Sequence, residues 1–175
     1  MTSKLLLAGA AALAFAAGPA LAHDGTHPSD AEIAHIAYTA GQLDVAAGKQ
    51  ALAKSHNQAV RAFAETMVRD HAAVNDQALA LVKKLGVTPQ SNATSEALSA
   101  QAAAEAKRLE ALSGAAFDKA YVANEVAYHR TVNGALAKTL IPGAHNGELK
   151  SLLETGLALF GEHQSHAEHL AQTLR

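Results

Sequence analysis

The chain has no cysteine, which excludes disulfides, a cysteine nucleophile and lipid anchoring through a thiol. A large excess of one sign of charge is missing too. The formal net charge is −2, both signs are interspersed, and no basic block stands beside interleaved aromatics, so neither nucleic acid nor an anionic membrane surface is indicated as a partner. No stretch alternates apolar and polar residues with period two, which argues against a sheet. Beyond the N-terminus there is no run of ~20 apolar residues, so the mature chain is expected to have no transmembrane segment. A Gly-rich phosphate loop, a His-Glu-x-x-His helix and a serine in a nucleophile elbow are all absent, which leaves hydrolase chemistry with little support. Charged residues make up 17% of the chain, against roughly 25% in ordinary soluble domains. Alanine takes up the difference and favours helices whose backbones approach closely.

What is present begins with an export signal. Lys4 is followed by an apolar run from Leu5 to Ala17, a break at Gly18-Pro19 and the small-x-small sequence Ala20-Leu21-Ala22. This is the pattern of a secretory signal peptide over residues 1–22, which places the mature protein in the periplasm, either soluble or held at the outer membrane. Residues 23–29 read as a flexible polar leader. If cleavage follows Ala22, its free amine, His23 and His27 form a candidate copper grip. About 150 residues remain, enough for one core and too few for two, so residues 30–175 are expected to form a single domain. A homo-oligomer is compatible with this composition.

Apolar residues at three-four spacing mark four long helices. The first, over 30–54, is capped by Ser29 or Asp30 and carries Ile33, Ala37, Ala40, Asp44, Ala47 and Ala51 on one stripe. The second, over 57–85, carries Val60, Phe63, Met67, His71, Val74, Ala78 and Leu81, and stops at Lys83-Lys84-Leu85-Gly86. A loop holding Pro89 follows. A shorter helix from about 95 to 112 presents Leu98, Ala102, Glu105 and Leu109. It is long enough to traverse a bundle, so the helices on either side of it can run parallel, as in crossover bundles. The third long helix, about 115–141, presents Val122, Val126, His129, Val132 or Asn133, Leu136 and Leu140, and ends at Pro142-Gly143. The fourth, about 147–174, presents Leu149, Leu152, Gly156, Leu159 or Phe160, His163, Ala167 and Leu170. The fold predicted is all-α, a ferritin-like four-helix bundle with an additional short crossover helix. Glycines 41, 48, 134, 156 and 161 each cost about 1 kcal/mol in a helix interior, and close helix contact is the expected compensation.

Asp44, His71, His129 and His163 occupy stripe positions that call for an apolar residue, one near the middle of each long helix. Burying an unpaired carboxylate or imidazole costs several kcal/mol, whereas one divalent cation satisfies one carboxylate and three imidazoles together. The plain alternative is that Asp44 bonds to one histidine, the other imidazoles meet hydroxyls or backbone, and the residues only fix helix register. Glu125 lies four residues before His129, and Glu162 four before His166, so each pair projects from one side of its helix; Glu125 and His166 are candidate extra ligands. Asp70 falls about 100° around the helix from His71 and reads as a supporting or surface residue paired with a nearby arginine. His169 is expected to face solvent.

The strings Gly41-Gln42-Leu43-Asp44-Val45, Phe63-Ala64-Glu65-Thr66-Met67-Val68-Arg69-Asp70-His71 and Leu112-Ser113-Gly114-Ala115-Ala116-Phe117-Asp118-Lys119-Ala120-Tyr121, with His129 and Glu162-His163, resemble a secreted bacterial ferritin-like domain family of unknown function, often labelled "predicted outer membrane protein". The resemblance covers essentially the whole mature chain and implies a periplasmic helical bundle without an established activity. The family usually has Glu where this chain has Asp44, so the carboxylate here is shorter. Ferritin-like iron carboxylate sites use a Glu-x-x-His pair on each of two helices, and no such pair stands at the matching places. A His-rich site with one carboxylate suits zinc or copper at least as well as iron. Transition-metal binding for storage, buffering or stress protection is the leading expectation. The rivals are a metal-free structural or interaction protein of the cell envelope and a two-metal redox enzyme, which requires Glu125 and Glu162 both to point inward.

Overall fold

The computed structural model describes residues 27–174, and among them every regular element is helical. The expected signal peptide and the His23 copper motif lie outside the described residues. Helix α1 spans Asp30–Lys54, α2 Gln58–Leu85, α3 Ala93–Glu110 and α4 Gly114–Ala135. A π-helical segment, Leu136–Leu140, and a short turn α5, Ile141–Gly143, extend α4 before α6, Gly147–Thr173.

Local chemistry sets these boundaries. Ser29 and Glu32 close a reciprocal capping box on α1. Gly86 ends α2 in the left-handed region at φ 65°, where its amide and that of Val87 bond back to Lys83 and Val82 carbonyls. Helix α3 begins two residues earlier than expected because Asn92 caps it through the amides of Thr94 and Ser95. The third long helix is not one regular helix, since its last turns widen into the π segment. Pro142 does not stop it at once: it lies in α5, which follows directly on the π segment, and the helical path ends only at Ala144.

The hydrogen bonds between element ends give the topology. At the end holding Asp30, the Gln90 amide donates to Ala31 O at 3.0 Å, and the Asp30 carboxylate accepts from the His145 and Asn146 amides at 2.8 and 2.9 Å. At the other end, Lys54 donates to Glu110 O at 2.7 Å and Ser55 Oγ to Asp118 Oδ1 at 2.6 Å. Helices α1 and α2 therefore form one antiparallel hairpin and α4 and α6 another. Helix α3 carries the chain back along α1, so that α2 and α4 run parallel, the crossover arrangement considered from sequence.

The core divides in two. One apolar cluster, around Phe63, Met67, Phe117, Tyr121, Val122 and Leu170, fills the end of the bundle holding Lys54. Another, around Ile33, Ile36, Leu136, Leu140, Leu153 and Phe160, fills the end holding Asp30. Asp44, His71, His129 and His163 lie in the layer between. Close approach compensates the glycines only in part: a Cβ at Gly48 would stand 2.8 Å from Val68 Cγ2, and one at Gly41 would overlap the Asn75 side-chain amide, but Gly134 and Gly161 face open space.

Candidate metal centre

Helices α1, α2, α4 and α6 all deliver polar side chains to the middle layer. Asp44, His71, His129 and His163 are 1, 3, 1 and 3% exposed. The three imidazoles pack around one another with ring centroids 5.3 to 5.7 Å apart, and one nitrogen from each lies within 4.8 Å of the others. Asp44 Oδ2 is 3.3 Å from His71 Nε2 and 3.5 Å from His129 Nε2. Neither contact is aligned as a hydrogen bond. Both Asp44 oxygens, both His71 nitrogens, His129 Nε2 and His163 Nδ1 are buried without a hydrogen-bond partner in the protein.

Two imidazoles are held from behind. His129 Nδ1 lies 2.9 Å from the Glu125 carbonyl, one turn earlier in α4; donating there makes it the protonated nitrogen and leaves Nε2 its lone pair. His163 Nε2 is 3.0 Å from Asp70 Oδ2, so Nδ1 is the free lone pair of that ring. Asp70 is itself held by Arg69 at 2.7 Å, the arginine pairing expected for it. The His71 ring stacks on Phe160 with centroids 4.3 Å apart and planes 11° from parallel, which fixes its tilt.

Burial sets the protonation states. It pushes the Asp44 carboxyl up to about 7 and the His71 imidazole down to about 3, the neighbouring histidines adding to the second effect. His129 is lowered to about 4 by burial, against the pull of its bond to Glu125. His163 is lowered by burial, with Asp70 working the other way. Glu125 is raised well above the carboxylate range, first by burial and then by Asp44. Near neutral pH the imidazoles are accordingly uncharged, the state in which a histidine can donate a lone pair to a metal.

Glu125 joins the layer from α4 at 1% exposure, with both carboxylate oxygens unpartnered, and Asp44, Glu125 and His129 form a second close group sharing residues with the first. His166 does not join. It is exposed and sets its ring edge-on to Phe63 at 5.1 Å, and Glu162 is exposed beside it. The two residues do share a side of α6, but the core side is the one carrying His163, Ala167 and Leu170. With Glu162 outward, the two-metal arrangement that required it is not formed. His169 faces solvent as expected.

Sequence reasoning missed Asn75. It is 3% exposed one turn along α2 from His71, where the adjacent Val74 had been given the stripe position. The signal available was its four-residue spacing from His71. Two cavities reach the layer. One of about 580 Å³ lies among the long helices toward the Asp30 end and touches Asp44, His71 and His129; another of about 600 Å³, between α1, α3 and α4, touches Asp44 and Glu125.

Residues 14–170 match a family model described as "Domain of unknown function (DUF4142)". No curated protein matches the chain. Among solved structures, the fold resembles that of the "putative secreted protein DUF305" from Streptomyces coelicolor, with a TM-score of 0.71 at 16% identity over 83% of this chain and 93% of that one. At that identity the likeness concerns the fold alone.

Proposed function

The chain belongs to the family of unknown function DUF4142, and from its own side chains we propose that it holds one transition-metal ion in the middle of the bundle, through Asp44, His71, His129 and His163. The observation that carries this reading is the set of buried polar atoms left without a partner in one layer. Each unsatisfied buried polar group costs roughly 1–3 kcal/mol, and Asp44, His71, His129 and His163, one on each of four helices, all carry at least one such atom. A bound cation turns that collective cost into coordination energy.

The donor set is one carboxylate oxygen and three imidazole nitrogens, which suits zinc, copper or iron. The backing of His129 by the Glu125 carbonyl and of His163 by Asp70 supports the same reading, because metal-bound histidines usually give their second nitrogen to such a partner. Glu125 is a further ligand or a base beside the ion. When bound, the ion would supply a Lewis-acidic centre in a layer flanked by apolar clusters on both sides. We read the protein as exported to the periplasm and ferritin-like in descent, serving storage, buffering or stress protection rather than turnover. No helix among the described residues is long and apolar enough to cross a membrane, which is consistent with export.

The test is metal analysis of chelator-treated protein reloaded with zinc, copper or iron, alongside His129→Ala. The wild type is expected to take up one equivalent and the variant substantially less. Equal stoichiometry in the two would reject this site.

A further inference from the structure

The cavity of about 580 Å³ is more than an entry to the histidines. Its walls are apolar, with Ile36, Val74, Val132, Leu136, Leu140 and Leu153 among the lining residues. Its inner end is polar, reaching Asp44, His71 and His129. The volume is that of a small-molecule site, and an apolar pocket with a few convergent polar groups is the usual form of one.

Asn75 indicates what the head of such a molecule would be. Its side chain lines the cavity, is 97% removed from solvent (3% exposed), and its Nδ2 has no hydrogen-bond partner. An unmatched buried amide destabilises the fold, yet α1 makes room for this one, since any side chain at Gly41 would overlap it. One turn back on α2, His71 lines the same space. A neutral imidazole carries one N–H, and neither His71 nitrogen has a partner. Two donors one helical turn apart therefore border the polar end of an apolar cavity. One wall includes Leu136 and Leu140 of the π-helical segment, a distortion found frequently at functional sites.

We infer that this cavity binds a straight-chain aliphatic carboxylic acid, its tail among the apolar side chains toward the Asp30 end of the bundle and its carboxyl oxygens accepting from Asn75 and His71. Two acceptor oxygens on one carbon match two donors, which an alcohol or a hydrocarbon does not. The inference goes beyond the metal reading and stands without it. Only one element rests on that reading, namely that a bound cation strengthens retention of the ionised head.

Calorimetric titration with decanoate, decanol and butyrate, on chelator-treated and on zinc-loaded protein, tests the inference. Decanoate is expected to bind both forms, with decanol and butyrate at least tenfold weaker. Asn75→Leu should weaken decanoate about tenfold, and Val132→Phe, which narrows the lumen, should abolish binding while leaving zinc stoichiometry intact. Methyl NMR of the wild type gives a reading without variants: decanoate should shift the signals of Val132, Leu136 and Leu140. No decanoate binding to either form, equal affinity for butyrate, or shifts confined to surface methyls would overturn the inference. Full zinc uptake without decanoate binding counts against this inference alone, and decanoate binding without zinc uptake against the metal reading alone.

Discussion

Asp44 carries a conflict that its own chemistry cannot relieve. Its carboxylate is buried without a hydrogen bond, and its pKa in the folded chain, about 7, lies above the ordinary value of 3.8. In the metal-free protein the charged form is thus disfavoured by folding. That penalty is full above pH 7 and fades as the pH falls toward 4, where Asp44 is neutral both folded and unfolded. Asp44→Asn is expected to stabilise the metal-free protein at pH 8, with a ceiling of about 4 kcal/mol at roughly 1.4 kcal/mol per pH unit, and to have little effect through charge near pH 4. Urea midpoints at the two pH values measure this. A gain that is no larger at pH 8 than at pH 4 would show that the carboxylate is not strained by burial. The lowered histidines act with the opposite sign. Their uncharged state stabilises the fold above about pH 6.5 and is lost on acidification, so the variant must be compared with wild type at each pH.

At the scale of the elements, the contact between α1 and α2 depends on two glycines that α4 and α6 do not match. Replacing a helical glycine with alanine gains about 1 kcal/mol where nothing opposes it. At Gly134 nothing stands within 4 Å of a new Cβ, and Gly134→Ala is expected to gain about 0.5–1 kcal/mol. At Gly48 the new Cβ would lie 2.8 Å from Val68 Cγ2 and 3.2 Å from the Ala64 carbonyl, a backbone atom that cannot turn away. Gly48→Ala is therefore expected to lose roughly 1–3 kcal/mol as the hairpin is forced apart. Denaturant midpoints of the pair should move in opposite directions, and a stabilising Gly48→Ala would mean the two helices are not in close contact in solution.

Over the whole molecule, the polar layer divides the apolar interior into two clusters and receives residues from all four long helices. An ion bound there ties α1, α2, α4 and α6 together at mid-height. Because the unfolded chain cannot present that arrangement, loading should stabilise the fold by about 2.7 kcal/mol at free zinc a hundredfold above its dissociation constant. For a domain of this size that raises the melting midpoint by roughly 5–10 °C, and a chelator should reverse it. A midpoint that zinc and chelator leave unmoved, with His71→Leu and His129→Leu at least as stable as wild type, would favour the metal-free envelope protein instead.

Helix identity was settled by local rules, and these are legible in the order of residues alone. The three-four stripes, the Ser29 cap, the Lys83-Lys84 and Gly86 stop and the loop at Pro89 all act within a few residues. The stripes also sufficed to single out Asp44, His71, His129 and His163 and to place them near mid-helix. What they left open was direction at the level of a fraction of a turn. Whether Val74 or Asn75 enters the core depends on how α2 rolls against α1, and that is decided where Gly41 admits the Asn75 amide. The spacing of Glu162 and His166 put them on one side of α6, but only the packing of α4 and α2 against α6 made that side the outer one. Asp70 pairs with Arg69 next to it in the chain, yet its hold on His163 crosses from α2 to α6. Periodicity says which residues share a face; the mutual rotation of packed helices, summed over contacts far apart in the chain, says what that face meets.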